Sequence, residues 1–399
     1  MKILVLNCGS SSIKYKLFDM SKSTVDAQGG VEKIGLPGSF LKFTLPSGEK
    51  VVLEKAMPEH TIGIEFILEV LVSKEYGCLS SLDEIKAVGH RVVHGGEKFN
   101  ESVVITKEVI KQVEDCTDLA PLHNPANLKG VATIAKLLPS ISQVAVFDTA
   151  FHQTMPDYAY MYALPYEYYT KYAVRRYGFH GTSHRYVSMR AIESLGLDPN
   201  NSKVITCHIG NGGSITAVLN GKSVDTSMGL TPVEGLMMGT RSGDVDAGAL
   251  TFLMDKENLD SAGVSALVNK KSGIMGISGV SSDMREIDAA AEQGNERALL
   301  GKKMYFYRIR KYIGAYAAAL GGVDAIVFTG GVGENSAECR ATACEGLQFI
   351  GVELDEAANA KTRGDEGIIS TADSRVKVAV IPTDEEFMIA SDTKSLLNL

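Results

Sequence analysis

Short apolar runs that end at glycine, serine or asparagine recur along this chain. The first lies within residues 2–18 and reads ILVLN, then CGSSS, then IKYKLF. The second lies within residues 204–218 and reads VITCHI, GNGGS, ITAV. It continues into Asn220-Gly221, a strong two-residue hairpin signal. The third lies within residues 323–336, where AIVFT precedes GGVGENS. Apolar runs of this length, rich in β-branched residues, predict strands, and the glycine-rich stretches predict loops. Helical periodicity predicts helices over residues 107–119, 127–138, 183–195, 286–320 and 355–360. Further strands are predicted at 87–93, 143–147 and 376–381. Strands alternating with helices predict an α/β protein. Two hairpins opened by similar loops, near residues 10 and 211, predict two similar domains that divide near residues 150–155.

A length of 399 residues accommodates two such domains, each with a substantial core. Apolar residues at 45% and charged residues at 22% are ordinary for a soluble globular chain. The net charge of −8 argues against nucleic acid or an acidic membrane as partner, because phosphates would repel the surface as a whole. Six scattered cysteines without a CxxC pair argue against a disulfide framework and against zinc. Cys8 and Cys207 sit inside apolar runs and read as small core residues. No apolar run reaches the ~18 residues of a membrane span. The first residues enter a strand pattern at once rather than a signal peptide. The expectation is a cytoplasmic protein.

The glycine-rich loops are the first candidate chemistry. Glycine lets backbone amides approach an anion, and three such loops, each after an apolar strand, point to phosphate binding. The spacing Gly331-x-Gly333-x-x-Ser336, with Glu353 beyond it, imitates a dinucleotide fingerprint, but too little chain follows for the rest of that fold. Gly221-Lys222-Ser223 imitates the end of a Walker A loop, yet Thr216 stands where its opening glycine belongs, and a hairpin turn explains the segment better.

Charged residues at predicted strand ends add to this. Arg91, in His90-Arg91-Val92-Val93-His94-Gly95-Gly96, is placed for a bidentate grip on carboxylate or phosphate. Arg241 lies in another glycine-flanked loop. Asp148 ends the strand VAVFD, where it is placed to cap the next turn, bind magnesium or act as a base. His180 and His184 have the i, i+4 spacing of a metal pair, without the glutamate of a zinc hydrolase. Thr182 or Ser183 is placed to cap the helix that follows. Asp384-Glu385-Glu386 forms a second acidic strand end. Cationic clamps, metal-binding acids and phosphate loops are what phosphoryl transfer uses.

At these residues the chain resembles the acetate kinases. The matching stretches are Asn7 to Lys14, His90 to Glu97, Phe147 to Phe151, Tyr177 to His184, His208 to Ser214, Gly239 to Ser242, Gly330 to Ser336 and Pro382 to Glu386, in the family's order. The resemblance implies an actin/sugar kinase/Hsp70-like fold, α/β, with two domains of related topology and a nucleotide cleft between them. On this reading the N-terminal domain spans 1–150, joined by 386–399, and the nucleotide-binding domain spans 151–385. The implied reaction is reversible, magnesium-dependent transfer from ATP to acetate, giving ADP and acetyl phosphate, in a cytoplasmic homodimer. Manganese is an implied substitute for magnesium, and propionate kinase is the nearest alternative.

The resemblance also assigns residues. Asn7 and Glu385 match metal-holding positions, and Lys14 matches an ATP contact. Arg91 matches the carboxylate-binding arginine, and Asp148 the family's acid-base position. His180 and Arg241 match groups that stabilise the transferring phosphoryl. His208, Ile209, Gly210, Asn211 and Gly212 match the loop on the nucleotide phosphates. Asp283, Met284 and Arg285, with Gly331, Val332, Gly333, Glu334 and Asn335, match segments around the nucleotide. Asp384 departs from the asparagine common before the metal glutamate, which adds a carboxylate beside the metal. Val93, two residues past Arg91 on the same strand, is expected on the same side and so against the acyl chain. Acetate is already ionised at neutral pH, which favours Asp148 as a metal or water orienter over an essential base.

Overall fold

The apolar run at the start of the chain becomes the centre of a sheet. A computed structural model describes residues 1–45, 47–121 and 123–399. Its first strands are β1 (Lys2–Cys8), β2 (Ile13–Asp19), β3 (Thr24–Glu32), β4 (Phe40–Thr44), β5 (Lys50–Glu54), β6 (Ile85–Val92), β7 (Val103–Val104) and β8 (Ser142–Phe147). They form one sheet in the order β5-β4-β3-β2-β1-β6-β8-β7. β1 pairs antiparallel with β2 and parallel with β6, and β6 pairs parallel with β8. Both faces of β1 are covered, which is why it reads as a continuous apolar run rather than an alternation. Leu4 and Leu6 pack with Ile64 and Ile67 of the helix His60–Leu71. Ile3 and Val5 pack with Ile389 and Ala390 of the helix Glu385–Leu396.

The second sheet is built from β9 (Lys203–Ile209), β10 (Gly213–Leu219), β11 (Lys222–Thr226), β12 (Ala325–Thr329), β13 (Gly367–Ile368) and β14 (Lys377–Val380). Their order is β11-β10-β9-β12-β14-β13. Five strands of the first sheet, β3-β2-β1-β6-β8, follow the same order and directions as β11-β10-β9-β12-β14. Asn220 and Gly221 take the left-handed conformation that the β10–β11 hairpin needs. Ile205, Cys207 and Ile209 of β9 pack with Tyr305, Ile309 and Ile313 of the helix Glu296–Ala319.

Contacts divide the chain into residues 1–153 with 384–399, and residues 154–383. Glu385, read from sequence as the last residue of the second domain, belongs to the first unit. It opens the helix Glu385–Leu396, which packs on β1, β6 and β8. The helix expected over 286–320 is two, Met284–Glu292 and Glu296–Ala319, because Gly294 turns left-handed between them and Asn295 caps the second. The loop expected after β12 is a six-residue helix, Gly330–Asn335. Among the described residues no helix is long and apolar enough to cross a membrane.

Candidate active site

In the first unit, parallel strands bring three predicted residues to one edge. Asn7 lies near the end of β1, Arg91 near the end of β6, and Asp148 directly after β8. The Arg91 Nε donates to Asp148 Oδ1 at 2.8 Å, and its Nη2 donates to Oδ2 at 2.6 Å. Nη1 reaches Asn7 Oδ1 at 3.4 Å. The Asp148 side chain is 2% exposed, that of Arg91 26%. Asp148 thus orients a guanidinium rather than capping a turn. Lys14 is the cross-strand partner of Asn7 on β2 and is exposed. Val93, expected on the same strand as Arg91, lies just past the end of β6, so strand alternation does not set its side; it is buried, and its amide donates to Asn127 Oδ1 at 3.0 Å.

The three consecutive acids after β14 have separate tasks. Asp384 caps its helix by accepting from the Phe387 amide at 3.0 Å, and it accepts from Lys16 at 3.3 Å. Glu386 also pairs with Lys16, at 3.2 Å. The extra carboxylate at 384 is therefore committed to a cap and a lysine rather than to a metal. Glu385 Oε1 is sealed from solvent without a hydrogen-bond partner among the described residues. Burial pushes the Glu385 carboxyl up to about 7, against the pull of Arg91, with Asp148 adding to the rise. Glu385 and Asp148 feel one another's charge, and Arg91, which bonds both Asp148 and Asn7, acts on Glu385 too. Hard oxygens so grouped fit a divalent cation, whose charge would offset the desolvation of Glu385. Among the described residues no three His, Cys, Asp or Glu side chains are arranged to hold a metal ion by themselves.

In the second unit, His180 precedes the helix Gly181–Ser194 in the left-handed region, φ +54°. A non-glycine residue is strained there, and such strain is typical of residues held for function. Its Nδ1 lies 2.9 Å from Ser214 Oγ, and its ring stacks on His208 at 4.3 Å. Ser183, expected as a cap, instead bonds with His208 Nδ1 at 2.8 Å, and Thr182 makes no cap either. The Arg241 Nη1 donates to the Pro232 carbonyl at 3.2 Å. A Cβ placed on Gly212 would lie 3.5 Å from Arg241 Nη1 and 3.8 Å from His180 Nε2. The guanidinium and the outer edge of the imidazole thus converge over Gly212.

Beside them is a cavity of about 880 Å³ lined in part by Gly210, Asn211, Asp283, Met284, Arg285, Gly331, Val332 and Asn335. That volume suits a nucleotide-sized ligand. Two glycines shape the turns that border it. Gly330 has φ +78°, and a Cβ there would meet the Ile209 carbonyl at 2.8 Å. A Cβ on Gly239 would collide with Asn211 Oδ1 at 1.8 Å. Asp283 caps the helix Met284–Glu292 and holds the exposed Arg285 at 2.6 Å. Six predicted nucleotide contacts do not line the cavity, among them Lys14 of the first unit, His208 and Gly212. Ile209 points into the core, and Gly333 packs against β9. Glu334 Oε1 accepts from the Gly330 amide at 2.8 Å, Thr329 Oγ1 at 3.1 Å and the Thr383 amide at 3.2 Å. Its carboxylate closes the turn that the glycines had suggested was an open loop.

Sequence reasoning missed the residues that support these groups. Tyr305 Oη donates to the Gly210 carbonyl at 3.1 Å, and Arg363 lines the cavity. Arg340, fully buried, donates to the carbonyls of Gly333, Glu334, Asn359 and Thr362 and to Asn359 Oδ1, at 2.7–3.0 Å. Asn127 Nδ2 donates to the Cys8 carbonyl at 2.7 Å while its Oδ1 holds Val93, tying the ends of β1 and β6 together. The available signal was Asn124-Pro125-Ala126-Asn127, with two amides on an otherwise apolar helix face.

The acetokinase family model matches residues 2–391. The acetate kinase of Bacteroides thetaiotaomicron is 71% identical over 397 residues, covering 100% of both chains. The crystal structure of Porphyromonas gingivalis acetate kinase superposes with a TM-score of 0.97 at 66% identity, covering 99% of each chain. A propionate kinase from Francisella tularensis gives 0.92 at 41%, with 99% of each chain covered. The two sheets and these neighbours are those of an actin/sugar kinase/Hsp70-like fold.

Proposed function

We propose how this chain, which belongs to the acetokinase family, uses its own residues to transfer a phosphoryl group between ATP and acetate. The carrying observation is the Arg91–Asp148 fork. Asp148 takes one edge of the guanidinium, which leaves an N–H on each terminal nitrogen for a second carboxylate. Arg91 holds acetate there, and Val93 lines the space for its methyl group. The carboxylate attacks the γ-phosphorus directly and in line, with no base, because acetate is already ionised. His180 and Arg241 offset charge on the transferring phosphoryl. The Gly210–Gly212 turn and the cavity walls from Asp283 to Arg285 and from Gly331 to Asn335 hold the nucleotide, with Lys14 as a further ATP contact.

Asn7 and Glu385 would hold magnesium, or manganese in its place. Such an ion supplies positive charge to the ATP phosphates when bound. A cytoplasmic homodimer is part of the proposal.

A hydroxamate assay for acyl phosphate tests the reading, with ATP, magnesium and a panel of acids and sugars. Acetate is expected to react fastest and propionate more slowly. Phosphorylation of a sugar with acetate inert would overturn the proposal.

A further inference from the structure

Strand β9 has two unlike faces. Ile205, Cys207 and Ile209 point into the apolar core. The other face carries Thr206 and His208, paired across β10 with Thr216 and Ser214. Thr206, Ser214 and Thr216 are fully buried beneath the helix Gly181–Ser194, where Ser183 and His184 are fully buried too. A polar face inside a central sheet is destabilising unless its groups are joined, and it is retained where it serves a site.

These groups are joined in a line. Thr206 Oγ1 lies 2.7 Å from His184 Nδ1, and His184 Nε2 lies 2.7 Å from Ser214 Oγ. Ser214 Oγ in turn lies 2.9 Å from His180 Nδ1. The far nitrogen of His180 is the one that shares the space over Gly212 with Arg241. A serine hydroxyl carries one proton, so it can donate to only one of the two imidazoles it touches.

We infer that Ser214 is a positioning residue that sets the tautomer of His180, through the line Thr206–His184–Ser214–His180. This rests on the proposed role of His180 toward the phosphoryl group. The Thr206 hydroxyl donates to His184 Nδ1, His184 Nε2–H donates to Ser214, and Ser214 donates to His180 Nδ1. The His180 proton is then on Nε2, aimed over Gly212, where it donates to a phosphoryl oxygen from a neutral ring. Neutrality suits the place, because the Arg241 guanidinium over the same glycine disfavours a second full positive charge there. His180 makes this bond to Ser214 from a left-handed backbone position, φ +54°.

Two measurements test this. Ser214→Ala is expected to lower kcat roughly tenfold or more, the scale of losing a partner that orients a reacting group, with the KM values for ATP and acetate nearly unchanged. Thr206→Val acts at the far end of the line and is expected to lower kcat less. In a His180→Ala background, Ser214→Ala is expected to have no further effect, since its role is exercised through His180. Full additivity would overturn the inference, whereas a His180→Ala enzyme with undiminished kcat would remove the premise instead. Nitrogen NMR of wild-type enzyme labelled in its imidazoles needs no folded Ser214 variant. The resonances that vanish in His180→Ala are expected to report a proton on Nε2, and a proton on Nδ1 alone would overturn the inference.

Discussion

Both oxygens of Asp148 accept from Arg91, one from Nε and one from Nη2. The carboxylate just after β8 and the guanidinium of β6 therefore act as one planar unit. An arginine so held presents its remaining N–H groups in a fixed plane, which an isolated surface arginine does not do. Arg91→Ala is expected to lower kcat/KM for acetate by roughly 10²-fold, about 3 kcal/mol. Arg91→Lys should recover only part of this, because lysine lacks the fork. Asp148→Asn should raise the KM for acetate while nucleotide binding persists. Steady-state kinetics with each substrate varied check all three, and an Arg91→Ala enzyme within about twofold of wild type would remove Arg91 from the site.

If Val93 lines the acyl site as proposed, it sets which acid fits. One methylene is worth only ~1–3 kcal/mol of discrimination, so propionate should be slow and butyrate poor. Val93→Ala should shift the kcat/KM ratio toward the longer acids. If the three acids keep their wild-type ratio in that variant, Val93 is a core residue and nothing more.

The proposed metal role of Glu385 can be tested through stability. Glu385→Gln removes a sealed carboxylate that lacks a hydrogen-bond partner at Oε1. Without metal the variant should melt no lower than wild type. Magnesium with ADP should raise the melting temperature of wild type, as binding to the native state must, and should raise that of the variant much less. Chelation should abolish wild-type turnover. Equal magnesium stabilisation of both proteins would place the ion elsewhere.

Acid should destabilise the first unit through two buried histidines. His90, bonded to Gln143 at 2.7 Å, and His94 are both almost fully buried, and burial pushes each imidazole down to about 4. The unfolded chain takes up these protons near the ordinary value of about 6.5, and the native state does so only near 4. The stability from keeping these rings neutral is therefore complete above about pH 6.5 and falls as pH drops from there toward 4, by up to about 3 kcal/mol for each ring. Urea midpoints at a series of pH values should show this fall, and His90→Gln should reduce it. A flat profile between 6.5 and 4.5 would contradict the burial of both rings.

Arg340→Met should be among the most destabilising single changes in the second unit. It leaves five acceptors, three of them buried and two partly buried, without this donor, which by the usual scale for orphaned polar groups is worth about 3 kcal/mol or more. Because Gly333 and Glu334 belong to the helix that walls the cavity, the KM for ATP should rise while that for acetate changes little. Denaturation midpoints and the two KM values check this, and an unchanged KM for ATP would confine Arg340 to stability.

Elements buried on both faces were legible in advance. β1, β9 and β12 are covered on each side and so read as unbroken apolar runs ending at glycine. The strands β3 to β5 were missed. Each shows one partly exposed face, and Thr24–Glu32 in particular mixes acids and glycines with its apolar residues. Arg91, Asp148 and Arg241 could be read because charge at a strand end or in a glycine loop departs from its surroundings. Arg340 and Asn127 could not, since their partners are main-chain carbonyls and amides that only the folded chain brings near. The division of labour among Asp384, Glu385 and Glu386 was equally hidden, because it depends on where Lys16 of β2 reaches.

The helix Glu385–Leu396 has a consequence for synthesis. Its Ile389 and Ala390 cover the side of the first sheet formed by Ile3, Val5, Phe18, Ala87, Val144 and Val146, all of which leave the ribosome long before it. At roughly 5–20 residues per second, translation of residues 154–383 takes on the order of ten seconds or more, and during that interval this apolar surface lacks its cover. The intervening unit, continuous in sequence, can meanwhile fold on its own. A nascent chain halted before residue 385 therefore displays a sticky, half-built sheet beside a finished domain, which is the species a chaperone would meet.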